Sequence, residues 1–248
     1  MRQFRWILLF PLVIGLLLPS VVHAQEQSLY WERFDVNIRV FENGDFQVEE
    51  VQKIVFTRGS FHFGYRNIPM DRLEDITDVE VWEGDRRYDS GRGGEYTYQT
   101  STSDGDLQIR WYFPYTSDSS HTFTLRYTVK GGLRYYEDGD QLYWKAVYAD
   151  RDFPVYDSTV TVDLPDGARA EPVAAYDTEA SIAGRGTNRA TFTAQETIEP
   201  GQEFEVRVQF PHGIVAGSEP DWQAAYDRRV LWEERYEGIV NLALGALG

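Results

Sequence analysis

The sequence predicts an all-β protein, an antiparallel β-sandwich followed by a C-terminal helix, and three observations support this prediction. From Leu29 onwards, apolar and polar residues alternate with period two, as half-buried strands require. Turn-forming clusters of Gly, Pro, Asn and Asp separate these runs. No helical pattern lies between the runs, which excludes parallel βαβ folds. A seam near Gly131–Gly132 would divide the region into two sub-sandwiches, but the even composition favours one continuous β region.

The first 24 residues have the layout of a secretory signal peptide. Arg2 and Arg5 precede an apolar run, and the segment ends in the small-residue motif Val22-His23-Ala24. The apolar run is shorter than the about 20 residues of a spanning helix, so cleavage after Ala24 is favoured over a retained signal anchor. We therefore expect residues 1–24 to be removed and the remaining chain to act outside the cytoplasm.

The first two strands are predicted to form a hairpin. Phe34, Val36, Ile38 and Val40 share one face of the first strand, and the run stops at Asn43-Gly44, a strong hairpin signal. The pattern then resumes over residues 46–56. Further strands are predicted over residues 76–82, 96–99, 107–113, 121–129, 142–148, 155–164, 190–194 and 203–210. About ten strands at this spacing are typical of a sandwich, here spanning residues 25–212.

The pattern changes after Pro211. Ser218 and Asp221 have capping-box spacing, and apolar residues then recur at helical spacing, which predicts an amphipathic helix over residues 218–237. The uncharged stretch from residue 238 to 248 resembles the beginning of a transmembrane helix that is cut short. The alternative is an apolar helix end docked on the domain. The first interpretation predicts that the membrane is a partner through this C-terminal helix.

Composition narrows the partners and the chemistry. The formal net charge is −16, and removal of the signal with Arg2 and Arg5 lowers it to −18. Such an acidic surface disfavours nucleic acid and anionic lipids. The chain has no cysteine, so it has no disulfide, no zinc–thiolate site and no thiol for lipid attachment.

Three stretches carry a resemblance to a known family. They are YWERFDVNIRVFENGDFQVEEVQKIVF from Tyr30, FHFGYRNIP from Phe61, and GGLRYYEDGDQLYWKAVYADRDFPVYDSTVTVDLP from Gly131. Their order and spacing resemble those of bacterial membrane proteins that carry the domain of unknown function DUF2207. The resemblance lies within Tyr30–Pro211 and implies an extracytoplasmic β domain followed by membrane helices. The family has no established activity, so it implies a location and not a reaction.

No catalytic motif stands out in the sequence. His62, His121 and His212 are far apart, and the chain has no nucleophile elbow and no helical His pair. We therefore expect no enzymatic activity and no cofactor. Carboxylates in pairs could hold a structural Ca²⁺, which takes about six to eight oxygen ligands, although Asp-Gly-Asp between strands is first of all a hairpin. These carboxylates are Glu49, Glu50, Asp71, Glu74, Asp75, Asp78, Asp138, Asp140, Asp150 and Asp152.

Glu50 and Arg66 are predicted to form a structural pair. Glu50 falls on the same alternate face as Phe46, Val48 and Ile54. A carboxylate on an apolar face needs a partner, and Arg offers a bidentate one. A partly buried Glu50–Arg66 pair would fix residues 61–69, which we expect to be a loop. The alternative is a bulge that turns Glu50 outward.

A second candidate is an interaction surface formed by Tyr143, Trp144, Tyr148, Asp150 and Asp152. If Tyr143 points inward, Trp144 points outward and is able to stack on a glycan or a partner. The reverse assignment, which the usual burial of Trp favours, places Trp144 in the core.

These observations favour a non-catalytic interaction or sensing domain, held outside the cytoplasm by a membrane anchor and recognising a protein or a cell-wall glycan. A secreted carbohydrate-binding module is the alternative. A hydrolase with an unrecognised site is the third option, and it needs a cleft that joins a histidine to carboxylates.

Overall fold

The computed structural model describes residues 27–230, and β-strands dominate this part of the chain. The predicted signal peptide (1–24), the end of the predicted helix (231–237) and the predicted start of a membrane span (238–248) lie outside the described residues. The strands are β1 (Ser28–Val40), β2 (Phe46–Arg58), β3 (Phe61–Pro69), β4 (Asp75–Glu83), β5 (Arg86–Arg87), β6 (Asp89–Ser90), β7 (Thr97–Ser103), β8 (Asp106–Thr116), β9 (Ser119–Lys130), β10 (Asp140–Val147), β11 (Val155–Asp157), β12 (Thr159–Asp163), β13 (Val173–Tyr176), β14 (Ala180–Ala183), β15 (Arg189–Ala194) and β16 (Phe204–Phe210).

The strands form one large sheet and two small ones. The large sheet has nine strands in the order β14-β15-β12-β1-β2-β9-β4-β5, with β11 also pairing with β1. A four-stranded sheet has the order β3-β8-β7-β6, and a three-stranded sheet has the order β10-β16-β13. The β1–β2 hairpin predicted from Asn43-Gly44 is confirmed, with Gly44 at a φ of 86°.

The prediction of purely antiparallel sheets is wrong. β1 pairs parallel with both β11 and β12, and β6 pairs parallel with β7. Period-two alternation identifies a strand but carries no information about its partner or direction. A tight turn fixes the direction of β2 against β1, whereas more than a hundred residues separate β1 from β11, so no local signal fixes that pairing.

The core lies between one face of the large sheet and the two small sheets. Phe46 on β2 packs edge-on against Trp144 on β10, with ring centroids 5.3 Å apart. Near the other end of β2, Phe56 lies 5.7 Å from Phe113 on β8. The two ends of β2 therefore contact two different small sheets, and the middle of β2 faces the gap between them.

Residues 61–69, predicted to be a loop, are the edge strand β3. The register with β8 shifts between Phe61 and Phe63. After this shift, Arg66 and Ile68 point inward and are buried, while Phe63 and Tyr65 are 38% and 44% exposed. The usual alternation is thus inverted, with aromatic side chains outside and an arginine inside. The hydropathy pattern of β3 therefore does not predict a strand.

Residues 221–230 are helical, within the predicted range of 218–237. Of the apolar residues of this helix, Trp222 contacts the β domain through its indole N–H, which donates to the Gly131 carbonyl at 2.7 Å, whereas Ala225 is exposed. The most buried side chain of this helix is Gln223. It accepts a hydrogen bond from the Tyr135 N–H and donates one to the Tyr135 carbonyl. In residues 27–230, no helix has the length and apolar character needed to cross a bilayer.

Candidate binding cleft beside strand β3

Glu50 lies at the middle of β2, on the face that looks into the gap between the small sheets, and its side chain is fully buried. Its Oε1 accepts hydrogen bonds from Arg66 Nε at 2.9 Å and from the Tyr127 hydroxyl at 2.7 Å. Its Oε2 accepts from Gln52 Nε2 at 3.0 Å. Gln52 in turn accepts from the Trp31 indole at 3.0 Å. A buried carboxylate with this many donors is satisfied as an ion, since each oxygen has a partner.

Arg66 connects the two small sheets. From its buried position on β3, it donates to the Asn67 carbonyl, its Nη2 lies 3.5 Å from the Lys145 carbonyl on β10, and its guanidinium lies over the Tyr148 ring at 4.2 Å. Burial is the largest single influence and works to lower the pKa of Arg66, but Glu50, Tyr127 and Tyr148 together outweigh it and the pKa is raised. Arg66 is therefore charged and forms a polar bridge where the two sheets do not pair.

Two cavities lie on either side of this bridge along β3, and we call them together the β3 cleft. The polar cavity has a volume of about 270 Å³ and lies between residues 66–69 of β3 and residues 143–145 of β10. Charged groups from several elements line it, among them Arg72, Asp106 and Glu203. Its position shows that the gap between the sheets is open on this side of Arg66.

The aromatic cavity has a volume of about 260 Å³ and lies beside residues 61–65 of β3. Its apolar wall is made of Trp31, Phe56, Phe61, Trp111, Phe113 and Phe123. Gly64 allows Trp111 to lie across β3, because a Cβ at this position would come within 2.4 Å of Trp111 Cζ2. The opposite wall is the segment from Tyr148 to Phe153.

Arg151 holds this segment in place. Its guanidinium donates to the carbonyls of Tyr148, Gln202, Ile198 and Glu199. These contacts tie the segment to the chain just before β16. Because Arg151 is buried and used by carbonyls, Asp150 and Asp152 on either side have no ion-pair partner within 4 Å among residues 27–230.

The structure brings the predicted Glu50–Arg66 pair together but divides the predicted interaction surface. Glu50 and Arg66 lie together, but fully buried rather than partly, and Arg66 is part of a strand. The surface set divides, because Trp144 (8% exposed) and Tyr148 (9% exposed) are buried. Trp144 points inward against Phe46 and Tyr127. The inward assignment of Trp144, which the usual burial of Trp favours, is therefore confirmed, and the Tyr143 face of β10 is the half-exposed one.

Tyr143 is committed to neighbours on its own sheet. It stacks on Tyr176 and donates to Glu205 at 2.8 Å, and burial together with this carboxylate raises the pKa of Tyr143. Of the predicted surface, Asp150 and Asp152 remain accessible and line the aromatic cavity.

Of the three histidines in residues 27–230, only His62 lines the cleft, in the aromatic cavity that Asp150 and Asp152 also line. His121 contacts Glu83 through Nδ1 and Thr116 Oγ1 through Nε2 at 3.0 Å, which is a carboxylate–imidazole–hydroxyl chain. None of these three side chains lines either cavity. His212 bonds Asp140 at 2.7 Å, and His62, at the mouth of the aromatic cavity, stacks on Tyr115.

The acidic residues converge at a place that the sequence did not indicate. In residues 27–230, one group of three carboxylates has the spacing to hold a metal ion, and it comprises Asp177, Glu203 and Glu205. Lys145 Nζ lies 2.6 Å from Glu203 and 3.5 Å from Glu205. The ammonium group thus already supplies the positive charge that a cation would bring.

Several residues of the cleft were not among those predicted from the sequence. Tyr127 and Gln52 complete the hydrogen bonds of Glu50, and Phe63 and Tyr65 lie at the outer edge of the cleft. Gln52 was detectable, because it follows Glu50 on the inward face of β2 at period two. The others depend on which strands pair, and the sequence pattern does not contain that information.

A family model for the N-terminal domain of a predicted membrane protein (DUF2207) matches residues 30–210. No curated protein has a matching sequence. Among solved structures, yeast LTA4 hydrolase is 10% identical with a TM-score of 0.48, and the match covers 73% of this chain but 28% of the hydrolase. An M1 zinc metallopeptidase from Deinococcus radiodurans is 11% identical with a TM-score of 0.43, covering 73% of this chain and 42% of the peptidase.

A suggested nutrient binding protein from Legionella pneumophila is 10% identical with a TM-score of 0.49, and the match covers 75% of this chain and 67% of that protein. This chain thus spans well under half of the hydrolase and of the peptidase. At such identities and TM-scores, none of these activities is transferred to it.

Proposed function

Because this chain belongs to the family of predicted membrane proteins that carry the DUF2207 N-terminal domain, we propose that residues 25–212 are a non-catalytic recognition domain held at the outer face of a membrane. The β3 cleft is its binding site. The observation that carries this proposal is the gap between the two small sheets, which leaves two cavities side by side around the buried Arg66. Ligand sites are concave, largely apolar and furnished with a few convergent polar groups, and the cleft has each of these features.

The sequence of residues 1–24 supports the proposed outward location, and the uncharged residues 238–248 support the proposed membrane attachment. The family description is consistent with an anchor. His62 lines the aromatic cavity with Asp150 and Asp152, but it stacks on Tyr115 and forms no hydrogen bond or ion pair with either carboxylate in residues 27–230, which supports a role in binding over one in catalysis.

The absence of cysteine from the chain allows a direct test of location and of occupancy. Tyr65, in the cleft, and Tyr156, on β11, are similarly exposed at 44% and 48%. In cells that express Tyr65→Cys or Tyr156→Cys, each cysteine is the only thiol of the chain. We expect both to react with a membrane-impermeant maleimide before lysis, and Tyr65→Cys to react more slowly relative to Tyr156→Cys in cells than in the purified chain.

Labelling that requires lysis would overturn the outward location. An equal ratio of the two rates in cells and in the purified chain would overturn binding at the cleft, because both sites would then be free. Tyr156→Cys serves as the matched control for expression, access of the reagent and folding.

A carbohydrate-binding module is the second candidate, and exposed aromatic residues at the cleft favour it. Phe63 and Tyr65 line the aromatic cavity and are 38% and 44% exposed, and sugar rings stack on exposed aromatic side chains of this kind. Retention on insoluble cell-wall glycan that is lost in Tyr65→Ala and kept in Tyr156→Ala would support it. Trp144→Ala, the obvious choice from sequence, removes a core residue and is not a useful variant for this purpose.

A further inference from the structure

Strand β3 has a free edge, and the pairing of its other edge shows which residues face it. β3 and β8 pair antiparallel, so hydrogen-bonded and non-hydrogen-bonded positions alternate. Tyr112, opposite Phe63, turns its backbone towards β7, where its carbonyl accepts from the Tyr96 N–H at 2.7 Å. Phe63 therefore occupies a non-hydrogen-bonded position against β8. By alternation, the N–H and C=O groups of Phe63, Tyr65 and Asn67 point away from β8.

Arg66 closes one part of this edge and leaves another part open. The Asn67 carbonyl already accepts from Arg66, which also reaches the Lys145 carbonyl on β10. Phe63 and Tyr65, further towards the start of β3, have no strand beside them among residues 27–230. Unpaired edges of this kind are templates for the addition of another strand. The open part of the edge lies beside the aromatic cavity, not beside the polar one.

The size of the aromatic cavity suits one large side chain. Its volume of about 260 Å³ is below the range of about 300–1,000 Å³ for pockets that enclose a whole drug-sized ligand. Six aromatic side chains and Ile54 provide an apolar wall next to the free backbone groups. A strand laid along Phe63–Tyr65 would point alternate side chains towards this cavity.

The rim of the cavity is negatively charged. Asp150 and Asp152 line it, and the one arginine between them is turned inward to backbone carbonyls. The chain as a whole carries a formal net charge of −16. Complementarity across an interface therefore calls for a positively charged partner.

We propose that the free edge of β3 at Phe63–Tyr65 binds an extended, basic segment of a partner protein by strand addition. One bulky apolar side chain of this segment enters the aromatic cavity, and lysine or arginine residues two positions away, on the same face of the strand, face Asp150 and Asp152. This inference rests on the proposed function, of which it names the partner. Main-chain hydrogen bonds give such complexes affinity, and the pocket gives them specificity.

Backbone amide exchange of the full chain tests strand addition directly. The probe is the synthetic peptide acetyl-Thr-Lys-Thr-Phe-Thr-Lys-Thr-amide, which places Phe and both Lys on one face of a strand, at saturating concentration and low salt. We expect the amides of Phe63 and Tyr65 to exchange more slowly by about tenfold or more when the peptide is bound. Gly64, whose backbone faces β8, should change little. Protection at alternate residues is a signature that a ligand held by side chains alone does not produce.

Two control peptides and two variants sharpen the result. A peptide with Glu at every Lys position, and one with N-methylated backbone at the residues flanking Phe, should each bind at least about tenfold more weakly. Tyr65→Pro removes an N–H that β8 does not use and should abolish binding, whereas Tyr65→Ala keeps that N–H and should retain alternate protection. If Tyr65→Pro does not fold, the amide pattern of the unmodified chain still decides.

Binding of the peptide without alternate protection would overturn strand addition. Equal binding of the basic and acidic peptides would overturn the charge assignment. If neither peptide binds and Tyr65→Cys is nevertheless shielded in cells, the proposed function stands and this inference fails. If cell-wall glycan fragments, or deletion of the chain's own residues 231–248, restore the labelling of Tyr65→Cys in cells, the occupant of the cleft is that glycan or that segment. Either result would also overturn the basic segment as occupant.

Discussion

Two neighbouring residues of β2, Glu49 and Glu50, have the same chemistry in opposite environments. Glu50 faces the gap between the small sheets and pairs with Arg66, and the two side chains are 0% and 2% exposed. Glu49 faces solvent on the other side of the large sheet and pairs with Arg126, with exposures of 29% and 35%. Both pairs join a glutamate of β2 to an arginine of another strand, so they differ mainly in burial.

The difference in burial decides which of the two ion pairs determines the shape of the cleft. An exposed pair gains little, since water screens it and long side chains lose entropy. A buried pair is not a large net gain over apolar residues, but removing one partner leaves an uncompensated buried charge. The arrangement of the three sheets thus depends on the Glu50–Arg66 pair. The exposed Glu49–Arg126 pair has little influence on it.

The largest expected effect comes from breaking the buried pair. Glu50→Gln leaves the Arg66 guanidinium unpaired, and Arg66→Lys cannot reproduce its several directed bonds. We expect each change to lower the free energy of unfolding by about 3–5 kcal/mol in urea denaturation. The double variant should lose less than the sum, because Glu50→Gln has already removed the carboxylate whose bonds to Arg66 the second change would break. Strictly additive losses would mean that the two groups are not coupled.

Tyr127 should have the next largest effect. Its hydroxyl donates to Glu50 Oε1 at 2.7 Å and both groups are buried. Tyr127→Phe keeps the ring and removes one donor to a charged acceptor, so we expect a loss of about 1.5–3 kcal/mol in the same denaturation experiment. The variant should cost less than Glu50→Gln, since Arg66 and Gln52 still bond the carboxylate. An equal or larger loss would show that the hydroxyl, not the arginine, is the main partner of Glu50.

The contribution of the buried Tyr127 hydroxyl to the free energy of unfolding depends on pH in the alkaline range. Burial and the nearby Glu50 raise the pKa of Tyr127 well above its ordinary value. A tyrosine in the unfolded chain loses its proton near pH 10, about where the folded chain still holds it. Stability from this group is therefore complete below that pH and is lost as the pH rises further, by up to about 1.4 kcal/mol per pH unit.

We expect Tyr127→Phe to reduce the decline of the free energy of unfolding above pH 10, measured by urea denaturation at several pH values. Tyr148, whose pKa burial also raises, continues to contribute a decline in the variant. Below pH 9 the two proteins should differ by a constant amount. Parallel curves above pH 10 would contradict the assignment of the decline to Tyr127.

The sequence predicts the side of β2 on which each glutamate lies, but not what each glutamate meets. Alternation with Phe46 and Val48 places Glu50 inward, and a short-range pattern is sufficient for that. The partner of Glu50 could be named because an inward carboxylate requires a cation and Arg66 follows closely in sequence. Tyr127 and Lys145 come from strands far along the chain, and only the sheet order brings them near.

The same limit explains the error at β3 and the two orientations left open at β10. The inward arginine and outward aromatics of β3 invert the pattern that reveals a strand, and the adjacent aromatics Tyr143 and Trp144 do not show by alternation which of them points inward. Both strands are edges that border the cleft. Local rules are expected to fail at sites under functional constraint, which agrees with the placement of the binding site there.

The smallest expected effect belongs to the exposed pair and provides the control for the whole comparison. Arg126 also contacts Glu80, so Glu49→Gln leaves it a second carboxylate partner. We expect a loss of about 0.2–1 kcal/mol, which becomes smaller in higher salt because the pair is screened. The loss from Glu50→Gln should hardly change with salt, since water and ions do not reach the buried pair. A salt-insensitive loss of several kcal/mol in Glu49→Gln would mean that burial is not the property that separates the two glutamates.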